Sequence, residues 1–218
     1  VVDGAHRVSG TRAAKASVPS GPGGVNMVLN GAPVFPVAGN AFYGRMLVWL
    51  DSAPETAVHW TFVEARGLIA GQTYHAAYRL GGQHPQTVGG SFAGSQVMLN
   101  YETPDSYGPT PNGPSSDCWK HANGDVLPTA RWACVEWHFD GPTNAMQFWI
   151  DGEEAVSLTG TGEGCVHQPA TYTWTAPNFD TLRLGWESYQ TDAARTLWID
   201  DVALHTSRLQ CPSTAGGM

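Results

Sequence analysis

The chain is a succession of short runs in which apolar and polar residues alternate, separated by clusters of Gly, Pro, Asn and Asp. No stretch carries a sustained 3.6-residue apolar repeat between caps. A period of two marks strands with one buried face, so this chain is built from sheets. The clearest runs are AFYGRMLVWL (41–50), HWTFVE (59–64), TYHAAYRL (73–80), QVMLNYE (96–102), WACVEWHF (132–139), AMQFWID (145–151), TLRLGWE (181–187) and TLWIDDVALH (196–205). They predict an all-β sandwich of two antiparallel sheets with long loops. Residues 103–130 are polar and rich in Pro and Gly, and are predicted to form a loop rather than a strand.

At 218 residues the chain fits one domain with a large core, predicted over 1–211, followed by a linker-like tail at 212–218. Its 26 Gly, 15 Pro and 9 Trp, with only 14% charged residues, describe a turn-rich, aromatic-rich protein of extracellular type. The net charge of -8 argues against nucleic acid or an anionic membrane as partner, because phosphate binding needs a basic stripe. No apolar run is long enough to span a membrane as a helix. The start, VVDGAHRV, has no initiator Met, basic n-region or apolar h-region, and reads as a mature secreted protein. A monomer is expected.

The four cysteines, Cys118, Cys134, Cys165 and Cys211, show no CxxC pair and no zinc-like spacing, so disulfides are favoured over free thiols. Three connectivities are open. Cys118–Cys134 and Cys165–Cys211 are the preferred pairs, each tying a loop to the sandwich.

RWACVEWHFDGPTNAMQFWIDGEEA has a Trp opening one strand and an Asp-Gly turn closing its partner. With GNAFYGRMLVWL near the start and LWIDDVALH near the end, it resembles the concanavalin A-like jelly rolls over roughly 38–205. Within that superfamily it is most similar to the fungal glucuronan lyases and the cellulose-inducible secreted proteins related to them, and more distantly to alginate lyases. The resemblance implies a β-jelly roll and a secreted carbohydrate-active protein. The fold alone does not give function.

Taking the more apolar set of each strand as inward leaves His59, His75, Arg79, Arg45, Asn100, Glu136, His138, Gln147, Tyr43 and Trp149 pointing outward. Aromatic rings stack on pyranose faces, while amides, Arg and carboxylates bond hydroxyls, so this set suits sugar recognition if its strands share one sheet face. If they belong to both sheets, the residues never meet.

The resembling lyases use an Arg, a Gln or Asn, a His and a Tyr to neutralise a uronate carboxylate and move protons across the bond. Here Arg79 or Arg45 with Gln83 or Asn100 is expected to do the first job, and His75, His59 or His138 with Tyr101 or Tyr43 the second. Tyr101 falls on the inward set, and Arg79 has a plain alternative as the partner of a nearby Glu. The alginate lyases' RSELRE-like strand survives only as Gly44-Arg45-Met46, and their Tyr-Lys-Ala-Gly motif is missing. His75, Arg79, Gln83 and His138 are the candidate catalytic residues. Tyr43, Arg45, His59, Asn100, Glu136, Gln147 and Trp149 are the candidate substrate contacts.

Glycoside hydrolysis ranks lower, because no Glu-x-Asp-x-x-Glu strand supplies paired carboxylates. Ser91 in GGSFAG breaks the G-x-S-x-G spacing, and no HExxH motif supports catalytic zinc. Adjacent Asp200 and Asp201 point to opposite faces of a strand, and a buried carboxylate needs a cation or several donors. The resemblance implies a structural Ca²⁺ on Asp200, with Asp3 and the carbonyls near Gly39 and Asn40 as further ligands. The rival is an Asp satisfied by loop amides. The functional expectation is a polysaccharide lyase-like enzyme acting on a uronate-containing polysaccharide by β-elimination. The alternatives are a non-catalytic carbohydrate-binding module or an extracellular adhesive domain.

Overall fold

The computed structural model describes the chain except for residues 104–115, 161, 167, 169–171 and 213–218. The strands are β1 (Val2–Asp3), β2 (Ala13–Val18), β3 (Gly23–Asn30), β4 (Ala41–Leu50), β5 (Trp60–Leu68), β6 (His75–Val88) and β7 (Ser91–Glu102). They continue as β8 (Asp117–Val126), β9 (Trp132–Asp140), β10 (Ala145–Ile150), β11 (Glu153–Thr159), β12 (Gly164–Val166), β13 (Thr181–Ser188) and β14 (Arg195–His205). They form two antiparallel seven-stranded sheets, ordered β1-β2-β14-β4-β9-β10-β11 and β12-β8-β7-β6-β5-β13-β3. This is the jelly-roll sandwich.

Alternation sorts the side chains as the apolar pattern requires. Phe42, Met46 and Val48 of the first sheet meet Trp60, Phe62, Tyr78, Leu80, Leu99 and Leu184 of the second in one core. Its centre is aromatic: Trp60 stacks on Trp186 with centroids 4.6 Å apart, and Tyr101 stacks on Trp174 at 5.2 Å. Gly44 is required on β4 because a Cβ there would collide with the Trp137 ring on the next strand.

Two expectations need correction. The polar stretch after residue 116 is not loop throughout: Asp117–Val126 is β8, hydrogen-bonded to β7. Only Cys118 and Ala122 on this strand reach the core, and Lys120 lies between them, so no apolar alternation announces it. Residues 104–115 of the same stretch, and the tail from 213, lie outside the described residues. The disulfides are Cys118–Cys165 and Cys134–Cys211, not the expected pairs. Cys118 faces the core, directly across from Cys165 of β12. Cys134 sits on the outer face of the first sheet, beside Trp132 and Trp198, and meets Cys211 of the C-terminal segment. A sheet therefore separates Cys118 from Cys134.

Candidate active site

The outer face of the second sheet carries one continuous cross-strand row. Register places Arg183 opposite Glu64, Glu64 opposite Arg79, Arg79 opposite Asn100, and Asn100 opposite Trp119. Arg183, Glu64, Arg79 and Asn100 are each flanked in their own strands by core residues, so alternation turns them outward. Arg79 Nε donates to Glu64 Oε2 at 2.7 Å, Arg79 Nη1 pairs with Glu102, and Arg183 Nη1 lies 3.4 Å from Glu64 Oε1. Asn100 Nδ2 donates to Asp117 Oδ1 at 2.5 Å and to the Cys118 carbonyl at 3.1 Å. Glu64 is 4% exposed, Arg79 6% and Asn100 1%. Burial opposes the charge on Arg79, but Tyr189, Glu64 and Glu187 outweigh it and its pKa rises.

His59 and Tyr189 lie to one side of this row, just beyond Trp60 of β5 and Ser188 of β13. Tyr189 N–H donates to the His59 carbonyl at 2.9 Å, and the two rings lie 4.9 Å apart. Tyr189 Oη donates to Thr61 Oγ1 at 3.2 Å, and the Arg79 guanidinium sits 5.4 Å over its ring. Burial pulls His59 down to about 4, against the pull of Asp117 and helped by Arg79 and His121, so the imidazole is neutral at neutral pH. Burial raises Tyr189 despite Arg79, so its hydroxyl keeps its proton. His121 of β8 is also lowered by burial, while its Nδ1 faces Glu163 Oε2 at 3.3 Å and its ring lies 4.9 Å from His84.

Seven buried side-chain polar atoms among the described residues lack a hydrogen-bond partner. Five of them, His59 Nε2, Glu64 Oε1, Asn100 Oδ1, His121 Nε2 and Arg183 Nε, belong to this face. Each such atom costs about 1–3 kcal/mol while it stays without a partner.

The two sheets divide the sequence-predicted array. His59, His75, Arg79, Gln83 and Asn100 belong to the second sheet and its margins. Gln83, half-buried, sits at the bulge after Gly82, near the His59 end, because Trp60 pairs with Gly82. His75 pairs with Leu68 at the opposite end, about 13 Å along the strand from Arg79. His59, just before the start of β5, is linked to Arg79 through the Tyr189 ring, which lies 4.9 Å from the imidazole and 5.4 Å from the guanidinium. Tyr101 is in the core, donating to the Thr175 carbonyl at 3.2 Å.

Tyr43, Arg45, Glu136, His138, Gln147 and Trp149 lie on the outer face of the first sheet, across the core from Arg79. Their polar groups largely satisfy one another. Tyr43 and His138 stack at 3.9 Å, His138 Nδ1 faces Gln147 Oε1 at 3.3 Å, and Arg208 holds Glu136 through both its oxygens while covering Trp149 at 4.4 Å. Arg45 Nη1 reaches the Gln210 carbonyl at 3.3 Å. The C-terminal segment is strapped over this face by those contacts and by Cys134–Cys211.

Sequence reasoning missed Tyr189 and His121 and did not name Glu64 or Glu102 among the candidates. Tyr189 was readable by extending the alternation of TLRLGWE two residues, whereas His121 lies in the stretch taken for a loop.

Asp200 Oδ2 accepts from the Val8 and Ser9 N–H groups at 2.8 and 3.1 Å, and Oδ1 from Asp201 N–H at 2.9 Å. Asp3 accepts from Trp198 Nε1 at 2.8 Å and pairs with Lys15 at 3.1 Å. These carboxylates are surrounded by N–H donors and an ammonium group, a set that does not fit a calcium ion.

Among solved structures, the cellulose-induced protein Cip1 is 19% identical, with a TM-score of 0.61 over 97% of this chain and 87% of that one. The alginate lyase vAL-1 from Chlorella virus is 14% identical, with a TM-score of 0.54 over 94% and 92%. At these identities the likeness is one of fold. No curated protein matches. Residues 1–207 match the polysaccharide lyase-like family described as Cip1-like, core domain, and the chain belongs to that family.

Proposed function

We propose that the outer face of the second sheet binds a uronate-containing polysaccharide outside the cell and cleaves it by β-elimination. The observation that carries this reading is the concentration, on the face around Arg79, of buried polar atoms without a hydrogen-bond partner, beside a neutral imidazole and a protonated phenol. Membership in a polysaccharide lyase-like family and the fold shared with an alginate lyase support it. The two disulfides suit an oxidising, extracellular setting.

In this reading Arg79 and Asn100, with Gln83 at the margin, neutralise the C6 carboxylate and so acidify the C5 proton. His59 Nε2 takes that proton, the C4–C5 double bond forms, and the C4–O4 bond breaks. Tyr189 Oη gives its proton to the departing O4, and the proton on His59 returns the site to its starting state through solvent. Positioned proton transfer of this kind contributes about 10²–10⁴-fold. His59 Nε2 is covered in the free protein, so substrate reaches it by displacing a neighbouring side chain.

The test is incubation with uronate-containing polysaccharides, both polymers of uronates alone and chains in which neutral sugars alternate with uronate, followed by absorbance of the unsaturated product. His59→Gln, Tyr189→Phe and Arg79→Lys are expected to lower kcat at least 100-fold with the fold intact, while His138→Ala is expected to leave it within twofold. Binding without any new double bond would replace this reading by a non-catalytic carbohydrate-binding one.

A further inference from the structure

Beyond His121, where the β8 edge faces the β11 edge of the other sheet, lies a cavity of about 790 Å³. That is within the roughly 300–1,000 Å³ usual for small-molecule sites. Lys120, His121 and Asn123 line it from β8, Ser157 and Thr159 from β11, and Glu163 from the turn before β12. Lys120 Nζ donates to the Ser157 carbonyl at 2.7 Å and ties the walls together. Glu163 accepts the His121 backbone N–H at 3.0 Å, which holds its carboxyl below the usual range.

We infer that this cavity takes an uncharged, hydroxyl-rich sugar of the same chain whose uronate lies at Arg79. The substrate is then a mixed polysaccharide in which neutral sugars flank the uronate, not a homopolymer of uronates. This deepens, and rests on, the reading of the Arg79 row given above.

Three observations carry it. The polar lining combines one ammonium, one carboxylate, one imidazole, the two amides of Gln96 and Asn123 and two hydroxyls, a set that bonds hydroxyl groups in both directions and has no excess positive charge. A uronate here would meet the Glu163 carboxylate, offset only by Lys120, and like-charge contact is a strong means of rejecting a competitor. The whole chain carries -8, so a dense polyanion is repelled at long range as well. Arg79 on β6 and the cavity edge on β8 are two strand spacings apart, roughly 10 Å, so one bound oligosaccharide reaches both.

Titration calorimetry with two tetrasaccharides tests this, one alternating glucuronate with glucose and the other made of glucuronate alone. The wild type is expected to bind the alternating one at least tenfold tighter. Glu163→Lys is expected to shift that ratio at least tenfold toward the homopolymer, Glu163→Gln to shift it less in the same direction, and Asn123→Ala to weaken the alternating ligand several-fold. Equal or tighter homopolymer binding by the wild type, an unchanged ratio in folded Glu163 variants, or no binding of either ligand overturns the inference. Arg79→Lys separates the two readings. Loss of both ligands supports the Arg79 row whatever the Glu163 ratio shows, while binding indifferent to Arg79 removes the row reading and, with it, the claim that one chain spans both.

Discussion

Arg79 of β6 lies between two carboxylates on its neighbouring strands, donating through Nε to Glu64 of β5 and pairing through Nη1 with Glu102 of β7. Three adjacent strands are joined through one guanidinium that is almost fully buried. The two carboxylates hold the guanidinium plane fixed.

Removing the guanidinium leaves Glu64 with Arg183 at 3.4 Å as its remaining cation. An Arg79→Met variant is expected to lose about 3–5 kcal/mol in urea denaturation, the cost of an uncompensated buried charge. The Arg79→Met, Glu64→Gln double variant is expected to lose less than Arg79→Met alone. A double variant that costs as much as the two single substitutions added together would show that the charges are uncoupled.

His59 links the site to pH. Its folded pKa of about 4 lies below the ordinary 6.5, so between those values the unfolded chain binds more protons than the folded one. Its contribution is therefore fully present above pH 6.5 and is lost as the pH falls toward 4, a difference on the order of 3 kcal/mol. His121, shifted in the same direction by burial, adds to the same trend. Denaturation midpoints measured from pH 7 to pH 4 are expected to fall in the wild type and to fall less in His59→Gln. Identical slopes in the two proteins would place the acid sensitivity elsewhere.

Calcium removal makes a separate claim. Because Asp200 and Asp3 are saturated by backbone N–H groups, Trp198 and Lys15, exhaustive chelation is expected to leave the melting temperature unchanged within a degree or so. A clear drop, restored by added Ca²⁺, would show that an oxygen shell forms there.

Much of the fold was legible because each of the eight alternating runs has one side that must avoid water. Phe42, Trp60, Tyr78, Leu99, Trp137 and Phe148 all face the core, as alternation requires. What alternation does not carry is which sheet a strand joins. Tyr43, His138 and Arg79 all point away from the core, yet β4 and β9 pair with each other and β6 pairs with β5 and β7. Outward on one sheet and outward on the other are the same signal in sequence and opposite sides of the molecule in space. The edge strands were silent for a related reason: β3 is exposed along most of its length, and β8 puts Lys120 on its inner side at the sandwich margin. The Arg79 row was half visible, because the partner of an outward Arg is fixed by register, which local pattern does not encode.

The disulfides offer a test that separates the two faces. Cys118 and Cys165 are 47 residues apart and Cys134 and Cys211 are 77 apart, so chain-entropy arguments assign the bridges about 4 and about 4.5 kcal/mol. Non-reducing peptide mapping is expected to recover those two pairs. Only the second bridge pins the C-terminal segment, whose Arg208 clamps Glu136 and covers Trp149 on the first sheet. Cys134→Ala with Cys211→Ala is therefore expected to lower the melting temperature and to make the segment after β14 sensitive to protease, with turnover of a bound polysaccharide held within twofold. Cys118→Ala with Cys165→Ala acts on β8, which carries His121 and Asp117, and is expected to reduce turnover as well as stability. If loss of Cys134–Cys211 abolished activity while the protein stayed folded, the strapped face of the first sheet would have to take part in the chemistry, and the assignment to the Arg79 row would fall.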